Sequence, residues 1–210
     1  DVKSAIPFME KSHAKGKPFF INLWIHEPHT PFHVDPKLQK LFPKLDEADN
    51  IYAATLYHAD LRIGQLLDAL DRMGATKDTL VIFSSDNGPA RGAPNAPITL
   101  MYDSATGPGY GIGGAKGITG GRRAFKGALM EGGVGVPFIA RWPGKIPAGK
   151  VDKDSIFSAV DLLPTFCELA NVSLPKSYKS DGISQVSTLM GKGNSKRSQA
   201  LFWKISAPWP

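Results

Sequence analysis

The sequence predicts an α/β fold, a mixed and mostly parallel sheet flanked by helices. Three observations carry this. Apolar runs of strand length recur at residues 18–25, 79–85 and 136–142, bounded by the Pro, Gly and polar clusters that delimit strands. An amphipathic helical pattern runs from about Ala48 to Met73, between the first two runs. A second helical pattern follows the third run, near Ser158–Asn171. Strand, helix and strand in that order form a β–α–β unit, which implies neighbouring parallel strands.

Each element has its own local reason. Residues 1–11 read like the middle of a helix, with neither an initiator Met nor a signal-peptide pattern. The last ten residues stop on an apolar stretch, so both ends are expected to be cut from a longer protein, and the chain reads as one partial domain. Pro18–Ile25 is expected to be a buried strand ending at His26-Glu27-Pro28-His29-Thr30-Pro31, and residues 32–46 a loop with one short helix. In the long helix Leu56, Ile63, Leu67 and Leu70 share one face, and Gly74 is a natural stop. Asp60 falls on that face and is expected to make a buried hydrogen bond.

The strand at 79–85 runs straight into Asp86-Asn87-Gly88-Pro89. Residues 88–124 then form a long polar insertion, with 89–121 as its glycine-rich loop. Eight glycines between Gly107 and Gly121 are too many for a rigid element. The stretch reads as a mobile loop, a candidate substrate lid. Gly109-Tyr110-Gly111-Ile112-Gly113-Gly114 matches GxGxxG formally, but neither a preceding strand nor a following helix supports a dinucleotide site. Val136–Trp142 is the third strand. In the last helix Leu162, Leu163, Phe166 and Leu169 recur, Asp161 is a candidate N-cap, and Pro164 is tolerated in the first turn.

Composition bounds the rest. With 210 residues, 42% hydrophobic and 21% charged, the chain can bury one substantial core, and no run is long enough to span a membrane as a helix. A single cysteine, Cys167, excludes an internal disulfide and reads as a small buried hydrophobe. The net charge of +6 is scattered, without the basic stripe or stacking aromatics of a nucleic-acid binder.

Three places carry residues suited to chemistry. Asp86 and Asn87, two oxygen donors at the carboxyl end of a strand, look like half of a hard-cation site. The same Asp-Asn-Gly-Pro is equally good turn chemistry, and taken alone these residues favour the turn. His26, His29 and His33 cluster after the first strand. The helical zinc motif is excluded because Pro28 and Pro31 prevent a continuous helix. An extended loop could still present one imidazole into a cleft. Lys126, between glycine-rich stretches, could hold an anionic oxygen as a point charge, though its surroundings are not those of a phosphate-binding P-loop.

Together these pieces resemble the formylglycine-dependent sulfatases. The resemblance rests on Pro-Phe-Phe-Ile-Asn-Leu-Trp followed by Pro28-His29-Thr30-Pro31, on Tyr57-His58-Ala59-Asp60, and on Leu80-Val81-Ile82-Phe83-Ser84-Ser85-Asp86-Asn87-Gly88. Lys126-Gly127 with Glu131-Gly132-Gly133-Val134 follows, then Pro137-Phe138-Ile139-Ala140-Arg141-Trp142-Pro143-Gly144 and Asp161-Leu162-Leu163-Pro164-Thr165. Order and spacing cover nearly the whole chain, with 89–121 the most divergent stretch.

The resemblance implies an alkaline-phosphatase-like fold and hydrolysis of sulfate esters, with carbohydrates or small molecules as substrates. It implies one divalent cation, usually calcium, with Asp86 and Asn87 as ligands, which turns the balance at this bend from plain turn to metal ligand. His29 then faces the oxygen between sulfur and the leaving group, and Lys126 contacts the sulfate and that oxygen. The family nucleophile is a formylglycine made from Cys or Ser in a Cys/Ser-x-Pro-x-Arg motif. None occurs here, nor does the paired Asp-Asp of the first metal segment. Half the site is therefore expected in sequence beyond these residues, and the segment alone is expected to be inactive. Family habit implies export to the periplasm, cell exterior or lysosome. A phosphoesterase or phosphonate hydrolase of the same fold, and a catalytically silent binding module, are the alternatives.

Overall fold

The computed structural model describes residues 2–92, 98, 100–103, 107–111, 115–193 and 195–204. The chain divides into two compact units, residues 1–76 with 85–137, and residues 77–84 with 138–210.

In the first unit, α1 (Val2–Ala14) and α2 (Pro36–Gln39) pack against the long α3 (Glu47–Arg72). Asp46 caps α3 by accepting the Asp49 amide at 2.8 Å, and Glu47 and Asp49 place negative charge at its positive end. Gly74, at φ +69°, stops it as expected. The buried positions of α3 are Ile51, Ala54, Thr55, Ala59, Ala69 and Leu70. Leu56 is 42% exposed, and Asp60 beside it is exposed, its carboxylate making no hydrogen bond among the described residues. Of the expected apolar face Leu70 is buried and Ile63 and Leu67 are half-buried, whereas Leu56 is exposed, because the closest packing around it selects the small side chains of Ala54, Thr55 and Ala59.

Asn50 secures the residues after α2 by donating its side-chain amide to the Gln39 and Phe42 carbonyls. Phe32, Ile51 and Ala115 form a buried cluster joined by Val34, Tyr52, Ile98 and Tyr110. Residues 88–124 are not featureless: β2 (Leu100–Asp103) and β3 (Gly107–Tyr110) form an antiparallel hairpin, and Phe32 bridges Tyr110. Ladder hydrogen bonds can fix a glycine-rich strand that side-chain propensity alone leaves unspecified. Ile112 to Gly114 of the formal GxGxxG lie outside the described residues.

Residues 18–25 are extended but belong to no ladder among the described residues. Their burial alternates, and Phe20 and Trp24 are 69% and 83% exposed. The expected buried strand is therefore covered on one face only. A groove of about 500 Å³ between this segment and Ser4, Ala5 and Phe8 of α1 contains none of His29, Asp86, Asn87 or Lys126. Its apolar walls offer no chemistry, so the polar residues identify the better candidate site.

In the second unit β1 (Val81–Ser84) pairs antiparallel with β4 (Phe138–Arg141), with Val81 opposite Arg141 and Ser84 opposite Phe138. Both ladders among the described residues are antiparallel, so the expected parallel neighbours are not among them. An apolar run predicts a strand but carries no information about direction. Phe138 stacks on Phe157 at 4.2 Å, and the Trp142 indole donates to the Lys77 carbonyl at 2.8 Å.

The residues before α5 (Leu162–Leu169) correct the N-cap expectation. Ser158 caps a single 3₁₀ turn, Ala159–Asp161, and Asp161 closes the capping box by accepting the Ser158 amide at 2.9 Å. Asp161 is 0% exposed and also accepts the Ile183 amide at 2.9 Å and Arg197 Nη2 at 2.5 Å on both oxygens. It thus stands at the N-cap position of α5, but its side chain makes no cap hydrogen bond there and anchors two later segments. No helix among the described residues is long and apolar enough to cross a membrane.

Candidate active site

The site begins where β1 ends, two residues before Asp86. Ser85 Oγ donates to the Asn87 carbonyl at 2.9 Å, and Asn87 Nδ2 donates to the Gly88 carbonyl at 2.9 Å. These bonds shape the bend that the sequence announced. The Asn87 side-chain nitrogen is engaged, which leaves its Oδ1 as an acceptor without a hydrogen-bond partner among the described residues. Asp86 is exposed, and its carboxylate has no hydrogen-bond or ion-pair partner among the described residues.

The next residues are locked to the turn that carries Lys126. The Gly88 amide donates to the Gly133 carbonyl at 2.8 Å, the Lys126 amide to the Pro89 carbonyl at 2.9 Å, and the Gly132 amide to the Arg123 carbonyl at 2.8 Å. Main chain lies directly on main chain here. A Cβ added at Gly88 would fall 1.9 Å from the Gly132 oxygen, and one at Gly132 would fall 2.0 Å from the Ala124 oxygen. Positive φ at Ala124 (67°) and Gly127 (91°) turns the loop back on itself and leaves Lys126 exposed. Asp86, Asn87 and Lys126 are therefore brought together by a backbone junction, not by side-chain contacts.

This junction predicts that Gly88→Ala will lower the melting temperature markedly. Overpacking typically costs about 1–3 kcal/mol, and here the neighbour is backbone that cannot rotate away. A thermal melt of Gly88→Ala matching wild type would show that the approach is looser.

His29 lies on the 26–33 loop, and no hydrogen bond joins it to Asp86, Asn87 or Lys126 among the described residues. Its amide donates to the His26 carbonyl at 2.8 Å, and the two rings meet edge-on at 5.7 Å. His29 Nδ1 lies 2.6 Å from the Thr30 carbonyl oxygen. A carbonyl can only accept, so Nδ1 carries a proton and Nε2 is the nitrogen left for chemistry. The connection to the other arm is indirect. Phe32 packs edge-on against Tyr52 at 6.0 Å. Gly117 in turn has the Tyr52 hydroxyl and Pro89 as the nearest neighbours of an added Cβ. Burial raises the Tyr52 phenol above its ordinary value, so it stays a neutral hydroxyl.

Two hard oxygen donors at Asp86 and Asn87 suit a calcium-type cation, which takes six to eight oxygens. They form part of such a set: no group of three or more His, Cys, Asp or Glu side chains able to hold a metal occurs among the described residues. The sequence reading missed Glu27 and His58, which form a pair beside His29. His58 sits in a quoted motif without a role, and Glu27 was named only in the run that ends the first strand.

The comparisons with known proteins converge with this geometry. The Sulfatase family model matches residues 2–172. Arylsulfatase G of Rattus norvegicus is 32% identical over 188 residues, which cover 90% of this chain and 33% of the relative. Arylsulfatase A of Homo sapiens is 32% identical over 200 residues, covering 95% and 34%. Among solved structures, Ps i-CgsB in complex with k-i-k-neocarrahexaose is similar at TM-score 0.74 and 29% identity, over 92% of this chain and 38% of that one. PsFucS1 sulfatase from Pseudoalteromonas sp. is similar at TM-score 0.70 and 29% identity, over 93% and 35%. The chain spans about a third of the length of the curated relatives it matches. Such likeness also gives the α/β architecture its class, the alkaline-phosphatase-like fold of the sulfatases. A bend of oxygen donors bonded through its main chain to a lysine turn, inside a match that runs from residue 2 to residue 172, makes this chain a member of the sulfatase family.

Proposed function

We propose that the protein hydrolyses sulfate esters of carbohydrates, as an exported enzyme using one calcium ion and a formylglycine supplied by sequence outside these residues. The observation that carries the reading is the main-chain junction joining Asp86-Asn87 to Lys126, within a chain of the sulfatase family. Carbohydrate is favoured as the substrate class because a similar solved structure holds k-i-k-neocarrahexaose.

Asp86 and Asn87 would hold the cation. When bound, calcium supplies positive charge against the sulfate oxygens, and the formylglycine supplies the nucleophile. The residues of this chain do the rest. Lys126, a permanent point charge on an exposed turn, draws one sulfate oxygen and the bridging oxygen toward it. As the S–O bond to the alcohol breaks, negative charge collects on the bridging oxygen, where a cation and a proton donor are worth most. His29 serves as that donor from its imidazolium form, giving up the Nε2 proton and keeping the Nδ1 proton that the Thr30 carbonyl accepts.

The test is hydrolysis of sulfated oligosaccharides by the full-length protein, with free sulfate measured against a no-enzyme blank. Chelation is expected to abolish release and calcium to restore it. Elemental analysis should find one calcium per protein, and Asp86→Ala should lose it. Two bound zinc ions with phosphate-ester turnover would instead place the protein among the related phosphoesterases.

A further inference from the structure

The Glu27–His58 contact lies outside the residues assigned to chemistry, yet it sits two residues from His29. Glu27 Oε1 lies 2.9 Å from His58 Nδ1, across 31 residues of sequence, and both side chains are largely sheltered, at 23% and 33% exposure. Arg62 Nε donates to His58 Nε2 at 3.3 Å. The hydrogen-bond pattern fixes the imidazole: a carboxylate accepts, so Nδ1 donates, and Nε2 receives the guanidinium N–H. Arg62 also donates to Gln65 Oε1 at 3.0 Å, which holds the guanidinium in place.

The positions on α3 give this contact its meaning. Ile51, Thr55, His58 and Arg62 follow one another at intervals of four, three and four, so they form one stripe along the helix. Ile51 packs with Phe32, at the far end of the 26–33 loop. His58 holds Glu27, at its near end. Seven residues of helix rise about 10 Å, so α3 fixes both ends of the loop at a set spacing. Phe32 is further pinned by its bridge to Tyr110. His29 is thus suspended between two anchors on one rigid helix, and only the Glu27 anchor is polar.

We propose that His58, braced by Arg62, is a positioning residue that holds the His29 loop through Glu27. The proposal rests on the functional reading above, with His29 as the proton donor. His58 touches neither substrate nor metal in this role. It sets where the His29 ring stands, and a small displacement of a reacting group can cost about a hundredfold in rate.

The test uses the full-length protein, three single variants and one double variant. His58→Ala removes the anchor. His58→Asn places an amide N–H near the position of Nδ1 and should restore it. Glu27→Gln weakens the acceptor. For His58→Ala, kcat is expected to fall about tenfold to a hundredfold, with KM within about twofold, while His58→Asn recovers most of the loss. The double variant Glu27→Gln/His58→Ala should be no worse than His58→Ala, since both cut one link. Amide hydrogen exchange should quicken at Glu27, His29 and Thr30 in His58→Ala and return toward wild type in His58→Asn. Unchanged kcat in His58→Ala, equal impairment of the Ala and Asn variants, or unchanged exchange in the loop would each overturn the proposal. A wild-type protein without sulfatase activity would defeat the functional reading instead, and the exchange measurement would still decide the anchor.

Discussion

Lys126→Ala is expected to cut sulfate-ester turnover by about a hundredfold to a thousandfold in the full-length protein, the usual scale for losing one transition-state charge partner. His29→Ala should cost about a hundredfold to ten-thousandfold, the range for a positioned proton donor. Both side chains are exposed, and the His29 contacts with His26 and Thr30 are local to its loop, so their variants should melt close to the wild type. Lys126→Arg should recover only part of the rate, since a planar guanidinium does not replace a compact ammonium. The backbone at 126 is fixed by its bond to Pro89, so the loss would belong to the side chain. Full turnover in both alanine variants would remove the assignment.

The second large effect is on stability. Arg197→Ala would leave Asp161 fully buried without its counter-charge, and breaking a buried pair from one side typically costs about 3–5 kcal/mol. That is a large share of the total stability of an ordinary domain. Burial pushes the Asp161 carboxyl upward, but the Ile183 and Ser158 amides and then Arg197 outweigh it and hold the group below its ordinary value. A depressed carboxyl stabilises the fold above its unfolded value, about 3.9, and that contribution is lost as pH falls through the lower folded value. Wild type should therefore shed this stability only in strong acid. Urea titrations at neutral pH and near pH 3 measure both effects, and an Arg197→Ala midpoint equal to wild type at neutral pH would show that the pair is dispensable.

Much of the site is legible in the sequence because its parts are local. A strand that runs on into Asp86-Asn87, a proline-bounded His29 and a lysine between glycines each stand out within a few residues, and the family resemblance gives them their expected roles. Glu27 and His58 do not, since their partnership exists only once α3 folds beside the loop, 31 residues away. The apolar face of α3 was read correctly at Leu70 and missed at Leu56 for a related reason. Periodicity weighs large apolar residues such as Leu56, whereas close packing selected Ala54, Thr55 and Ala59. At 18–25 an apolar run on both sides implies cover on both sides, yet Phe20 and Trp24 face outward. Strand direction was beyond reach, as the apolar pattern of β1 and β4 reads the same for either pairing. Asp161 looked like a helix cap because its three tertiary partners, Ile183, Gln185 and Arg197, lie more than twenty residues downstream.

The contact between Gly88 and Gly132 also sets how the protein can be engineered. Arg123 and Phe125 serve the junction with carbonyl oxygens that every amino acid carries, so a randomised library at those two positions should keep most of its members folded. The same library at Gly88, Gly132 or Gly133 should lose nearly all of them. Substrate preference can therefore be redesigned around the lysine turn through side chains that face outward. The joint beneath it offers no such freedom, and Asp86, Asn87 and Lys126 will move, if at all, as one piece.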